Sequence, residues 1–213
     1  MVECIRFVNS RFTSNTYILS IESDSNVWVI DPGDTGPLFS WMKENGKAGV
    51  NGILLTHSHF DHIYGICEVL EEYPKATIYV ANEEGKNILF DSKKNGSKYT
   101  EEGPLIIKET AEIRYFEAEM KLWPNIDMVS IITPGHSEDS ICLIIHKMIF
   151  TGDTLIKDFR TVTKLKGGSV EKLSESLRKL ENLKGSGFLV YGGHCDVFDL
   201  DTYDLRKAIL SIG

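Results

Sequence analysis

Ile53-Leu54-Leu55-Thr56-His57-Ser58-His59-Phe60-Asp61-His62 sets four metal-competent side chains, in the pattern H-x-H-x-D-H, directly behind an apolar tripeptide. The apolar residues read as a buried strand, so His57, His59, Asp61 and His62 fall where that strand passes into a loop. Alternate side chains of an extended backbone share a face, which lets His57 and His59 grip one ion together. Phe60 then turns the chain and brings Asp61 and His62 to a second, neighbouring position. Imidazoles mixed with a carboxylate favour a first-row divalent metal over calcium or magnesium, with zinc the default. The whole chain has only six histidines, so a run holding half of them reads as a site rather than a solvated loop.

The other ligand candidates follow the same rule of placement. Thr133-Pro134-Gly135-His136-Ser137, Phe150-Thr151-Gly152-Asp153-Thr154 and Val190-Tyr191-Gly192-Gly193-His194 each come just after an apolar stretch. A glycine beside each ligand removes side-chain bulk and lets the loop carry the ligand close to an ion. The remaining histidine, His146, precedes Lys147 in an expected hairpin turn and reads as a surface residue.

With H-x-H-x-D-H at 57–62, P-G-H-S at 134–137, T-G-D-T at 151–154 and G-G-H at 192–194, the chain resembles the metallo-beta-lactamase superfamily over nearly its whole length. The resemblance implies an α+β fold, the four-layer αβ/βα sandwich, in a single domain over 1–213, with a metal site at one edge between the sheets. It implies that His57, His59 and His136 hold a first metal and Asp61, His62 and His194 a second, with Asp153 bridging them. The cofactors are then two divalent ions, zinc by default and iron or manganese as alternatives. Two such ions, two aspartates and a bridging hydroxide sum to about one positive charge, which keeps the site electrophilic while lowering the pKa of bound water. Hydroxide attack on a carbonyl or phosphoryl centre needs no protein nucleophile, and Asp61 is placed to orient it as the catalytic carboxylate. Asp31, in Val29-Ile30-Asp31-Pro32-Gly33, is either a hydrogen-bond partner of a ligand imidazole or a simple turn former.

Within the superfamily, Asp153 stands where many beta-lactamases carry cysteine, which disfavours antibiotic hydrolysis. The nuclease branch is disfavoured because this acidic chain shows no basic arm for RNA. T-G-D-T-L at 151–155, followed by a basic loop, looks most like the glyoxalase II branch, the hydroxyacylglutathione hydrolases, whose substrates are thioesters. Lys164 falls about where that branch places a substrate-binding cation, and Arg160 lies in the same loop; the alternative is a solvated charged segment. Two departures turn the expectation from glutathione toward another small, anionic thioester or ester. Only 19 residues follow His194, and Lys157-Asp158-Phe159-Arg160-Thr161 replaces a glycine-rich stretch. A lactonase, a phosphodiesterase, a mononuclear-iron enzyme like the persulfide dioxygenases and a metal-stabilised binding module are the competing readings.

Composition agrees with a soluble enzyme. The 213 residues are 42% hydrophobic and carry a net charge of −8, with a pI near 5.3, which argues against partners such as nucleic acid or an anionic membrane. No apolar stretch spans a bilayer and Met1-Val2-Glu3-Cys4-Ile5-Arg6 lacks the order of a secretory signal, so the expected location is cytoplasmic. Cys4, Cys67, Cys142 and Cys195 form no C-x-x-C pair and are expected as reduced thiols, Cys195 packed as a small hydrophobe. Tyr64 and Tyr191 read as core or rim residues.

Along the chain, residues 5–20 and 27–30 are expected as strands of an opening hairpin, 37–45 as a helix and 52–55 as the strand that delivers the motif. A helix over 63–72, a strand over 76–80 and a helix over 82–90 follow, and then a polar segment over 91–103 expected to be a mobile loop at the substrate entrance. Two or three strands are expected between 105 and 133, a hairpin over 140–150, an amphipathic helix over 169–184, a strand over 188–191 and a closing helix over 201–212.

Overall fold

A computed structural model describes residues 1–101, 103–108 and 110–208. The chain divides into two compact units, Met1–Tyr115 and Phe116–Gly213. The first unit is a sheet of strands β1 (Glu3–Val8), β2 (Asn15–Ser20), β3 (Asn26–Ile30), β4 (Gly49–Leu54), β5 (Thr77–Val80) and β6 (Ile113–Tyr115), in that spatial order. β1, β2 and β3 pair antiparallel, and β3 through β6 pair parallel. Parallel strands need crossovers, supplied by helices α1 (Thr35–Glu44), α2 (Ile66–Glu72) and α3 (Glu83–Phe90). Their inward positions, Leu38 and Met42 on α1 and Ile66 and Val69 on α2, join Ile18, Val27, Val29 and Ile53 in one buried apolar cluster.

The opening differs from the expected hairpin because residues 5–20 do not run as one strand. Asn9 closes a turn in which its amide N–H donates to the Ser14 carbonyl at 2.8 Å and its side chain donates to the Ser14 hydroxyl at 2.9 Å. Phe12 and Thr13 take positive φ at the tip, so these polar groups fold back on themselves instead of extending the ladder. The helix expected over 63–72 begins later, at Ile66. A Cβ on Gly65 would sit 2.1 Å from the Gly33 carbonyl oxygen, and the Gly65 N–H donates to the Pro32 carbonyl, so this glycine serves a close backbone approach rather than a helical turn.

The polar segment over 91–103 is fastened rather than loose. Asn95 and Ser97 are buried; the Asn95 side chain donates to the Leu89 carbonyl and accepts from the Ser97 amide. The Asn95 carbonyl in turn accepts from the Phe60 amide at 2.7 Å, tying the segment to the middle of the histidine run.

The second unit contains β7 (Glu119–Trp123), β8 (Ile126–Ile132), β9 (Ile141–Ile145), β10 (Met148–Gly152), β11 (Leu189–Gly192) and β12 (Phe198–Asp199), in the spatial order β12-β11-β10-β9-β8-β7. Among the described residues of this unit only β10 and β11 pair parallel, and helix α4 (Val170–Glu181) crosses between them. Ser169 caps α4 by accepting from the Lys172 amide, and Leu173, Leu177 and Leu180 line its buried stripe against Ile149 and Val190. Leu180 has no exposed surface, so Leu180→Ala is expected to cost about 2–5 kcal/mol in urea unfolding, through lost burial and the cavity left behind. Of the closing helix expected over 201–212, residues 201–204 are not helical, Leu205–Ala208 forms a 3₁₀ turn, and positions 209–212 lie outside the described residues. No described helix is long and apolar enough to cross a membrane.

Candidate metal centre

Strand direction gathers the candidate ligands. In the first unit β3 and β4 run parallel, so Asp31, just past β3, and the histidine run, just past β4, emerge at one sheet edge. That carboxyl end of parallel strands is where α/β sheets build sites. The run turns through a 3₁₀ helix at Phe60–His62, with the His57 ring 4.8 Å from that of His59 and 4.3 Å from that of His62, centroid to centroid. His62 Nε2 lies 3.4 Å from Asp61 Oδ2. Two donors each about 2.1 Å from a tetrahedral ion stand about 3.4 Å apart, so this pair suits one divalent metal. The Ser14 hydroxyl donates to the Asp61 carbonyl at 2.6 Å, which anchors the backbone beneath that carboxylate.

Asp31 is buried and has φ of 49°, a backbone state that aspartate tolerates better than bulky residues. Its Oδ1 accepts from the Thr56 amide at 2.8 Å, and its Oδ2 accepts from the Thr56 hydroxyl at 2.5 Å and lies 3.1 Å from His62 Nδ1. Asp31, His57 and His62 present donor atoms within 4.8 Å of one another. Both Asp31 oxygens serve protein donors, and Oδ2 faces His62 Nδ1.

In the second unit β8, β10 and β11 all run in the same direction, so His136, Asp153 and His194 leave from one edge. Asp153 Oδ2 lies 3.7 Å from His136 Nε2 and 3.6 Å from His194 Nε2. A single carboxylate oxygen therefore stands between two imidazole nitrogens, at separations close to those of atoms that share an ion. His136 Nδ1 donates to the Val162 carbonyl at 2.8 Å, leaving Nε2 as the basic nitrogen on the Asp153 side.

Lys164 and Arg160 are exposed in the same 153–169 loop as Val162. That loop is held by the Thr161 amide donating to Ala208 and the Asp158 amide donating to the Tyr203 hydroxyl. His146 is exposed in the β9–β10 turn with φ of 53°. Cys195 is exposed with φ of 61°, not packed as expected. Cys142 is buried, and burial pushes its thiol up to about 11, so it is a core residue and no nucleophile.

Tyr64 donates to Asp34 Oδ1 at 2.6 Å. Burial first, and then this bond, raise its phenol, so Tyr64 stays protonated and is no base. Asp34 shows the reverse balance: partial burial works against its charged form, but hydrogen bonds from Tyr64 and Ser10 outweigh it and lower the carboxyl. The contacts that the sequence left unread are the Thr56 hydroxyl, the Val162 carbonyl and the Asn95 carbonyl. Thr56 carries a signal, its place directly before His57; backbone carbonyls carry none.

The chain matches the model of the metallo-beta-lactamase superfamily over residues 10–194. It is 30% identical over 173 residues to hydroxyacylglutathione hydrolase of Pseudoalteromonas translucida (strain TAC 125), covering 80% of this chain and 57% of that protein; it thus spans little more than half the length of that relative. It is 31% identical over 201 residues to the probable metallo-hydrolase YqgX of Bacillus subtilis (strain 168), covering 93% of this chain and 92% of that protein. Among solved structures it superposes on BLEG-1 B3 metallo-beta-lactamase with a TM-score of 0.81 at 25% identity, over 93% of this chain and 94% of the other. That match bears out the α+β fold expected from the motifs. With all four histidine and aspartate motifs inside the matched span and their side chains gathered at strand ends, the chain belongs to the metallo-beta-lactamase superfamily.

Proposed function

We propose that this protein is a metal-dependent hydrolase of a small thioester or ester, working through a dinuclear centre. One ion would be held by His57, His59 and His136, the other by Asp61, His62 and His194, with Asp153 shared. The observation that carries this reading is Asp153 Oδ2 standing 3.7 and 3.6 Å from the Nε2 atoms of His136 and His194, imidazoles that the superfamily pattern allots to different ions. When bound, the ions supply a nucleophilic hydroxide near neutral pH and polarise the scissile carbonyl, zinc being the metal that this nitrogen and oxygen donor set suits first.

The protein's own groups orient and exclude. Asp61, partly exposed beside His62, is the carboxylate placed to accept a proton and align the attacking oxygen. Asp31 and the Val162 carbonyl fix the rings of His62 and His136. Exposed Lys164 and Arg160 are the proposed contacts for an anionic end of the substrate. The Pseudoalteromonas relative is a hydroxyacylglutathione hydrolase, which supports a thioester.

The test is elemental analysis of natively purified protein together with hydrolysis assays on thioesters, lactones and phosphodiesters, for wild type and Asp61→Asn. Two metals per chain, thioester hydrolysis lost on chelation and a large loss in Asp61→Asn are expected. One iron per chain, with oxygen consumed in the presence of a persulfide, would replace this reading with the mononuclear one.

A further inference from the structure

Thr56 stands between two ligand candidates. Its hydroxyl lies 2.5 Å from Asp31 Oδ2 and 3.2 Å from His57 Nδ1, and the same Asp31 oxygen lies 3.1 Å from His62 Nδ1. A carboxylate only accepts, so the one hydroxyl proton goes to Asp31, and the contact with His57 must then use a proton on Nδ1. His62 Nδ1 must likewise donate to Asp31. Both rings are thereby held in the tautomer whose basic nitrogen is Nε2, and their rotation is restrained by one small network. Asp31, Thr56, His57 and His62 are each no more than 2% exposed, so water does not compete for these bonds and each strengthens its neighbour.

We propose that Thr56 is a positioning residue that couples the two metal sites: through Asp31 its hydroxyl links His57 to His62, so that the two ions are gained and lost together. The inference rests on the dinuclear reading, in which these histidines serve different ions. Removing only the hydroxyl takes away the acceptor that Thr56 offers His57 Nδ1 and one of the two Thr56 bonds that hold the Asp31 carboxylate toward His62. Loss of such a hydrogen-bond partner behind a ligand typically weakens metal binding by about 10–100-fold.

The test is removal of zinc from the loaded protein by a competing chromophoric chelator, which reads the number of ions and the affinity of each. Wild type, Thr56→Ser, Thr56→Val and Asp31→Asn are compared, with circular dichroism to follow folding. Wild type is expected to hold two ions and Thr56→Ser to match it, while Thr56→Val weakens both by about 10–100-fold. If Thr56→Val does not fold, Asp31→Asn carries the same expectation, because it keeps the shape and removes the shared acceptor. Weakening of one ion alone, unchanged affinities in Thr56→Val, or a Thr56→Ser as weak as Thr56→Val overturns the coupling. Two ions in wild type with no paired weakening defeats the coupling alone; a wild type that holds one ion defeats the dinuclear reading and the coupling with it.

Discussion

Asp153→Asn is expected to lower thioester hydrolysis by about a thousandfold and to leave the purified protein short of metal. The substitution keeps the size and the planar group, so α4 and its core should be undisturbed; what it removes is a negative charge placed 3.7 and 3.6 Å from two imidazole nitrogens. In the proposed centre that charge would help hold both divalent ions and would be their main source of neutralisation within the second unit. Metal polarisation supplies several kcal/mol of transition-state stabilisation, and at about 1.4 kcal/mol per tenfold a loss of about 4 kcal/mol accounts for the thousandfold. Steady-state assays beside elemental analysis decide it. Full metal content with full activity would show that Asp153 is a surface-edge carboxylate with no part in the chemistry.

Gly135→Ala should be strongly destabilising. Gly135 has φ of 144°, and a Cβ there would fall 2.4 Å from both the nitrogen and the Cα of Leu173. The contact is backbone against backbone and cannot be relieved by rotating a side chain. Two hydrogen bonds hold the surfaces together: the Ser169 amide donates to the Gly135 carbonyl at 2.8 Å and the Ser176 hydroxyl to the Pro134 carbonyl at 2.8 Å. Steric overlap and an unfavourable φ together should cost about 3 kcal/mol, or a fall in melting temperature of about 6–12 °C for a chain of this size. Gly185→Ala is the control, since Gly185 also has positive φ, 82°, but nothing within 4 Å of its added Cβ. It should cost about 1–2 kcal/mol. Equal melting temperatures for the two variants would mean that the α4 approach carries no stability.

The candidate ligands could be named from the sequence because each obeys one local rule: an apolar strand ends, a glycine or a turn follows, and a histidine or aspartate comes next. Periodicity served most of α4, where Leu173, Leu177 and Leu180 recur at helical spacing and are buried, although Val170 on the same expected stripe is exposed and the polar Ser176 is buried. It failed where polar side chains satisfy backbone. Residues 5–20 look like one strand until Asn9 and Ser14 close a turn, and residues 91–103 look loose until Asn95 is found buried, its carbonyl accepting from Phe60. Polarity marks a segment as outside the apolar core, not as unfastened.

Cys195 makes the same point from the other side. A small apolar thiol beside a candidate ligand suggests packing, yet Cys195 is exposed and has φ of 61°, and backbone handedness at a single residue is decided by the strand and loop on either side.

The family, the α+β class and the identity of the candidate ligands were all written in short motifs, because a metal site needs particular side chains and a strand end to present them. The choice of Asp31 as a holder of His62 rather than a turn former, the use of the Thr56 hydroxyl and the Val162 carbonyl as partners of ring nitrogens, and the separation of Asp153 from His136 and His194 were decided only by the tertiary structure. The partners in these contacts are mostly far apart in the chain or are backbone atoms common to every residue, so no local pattern encodes them. They exist once parallel pairing has put the ends of β3 and β4, and of β10 and β11, side by side.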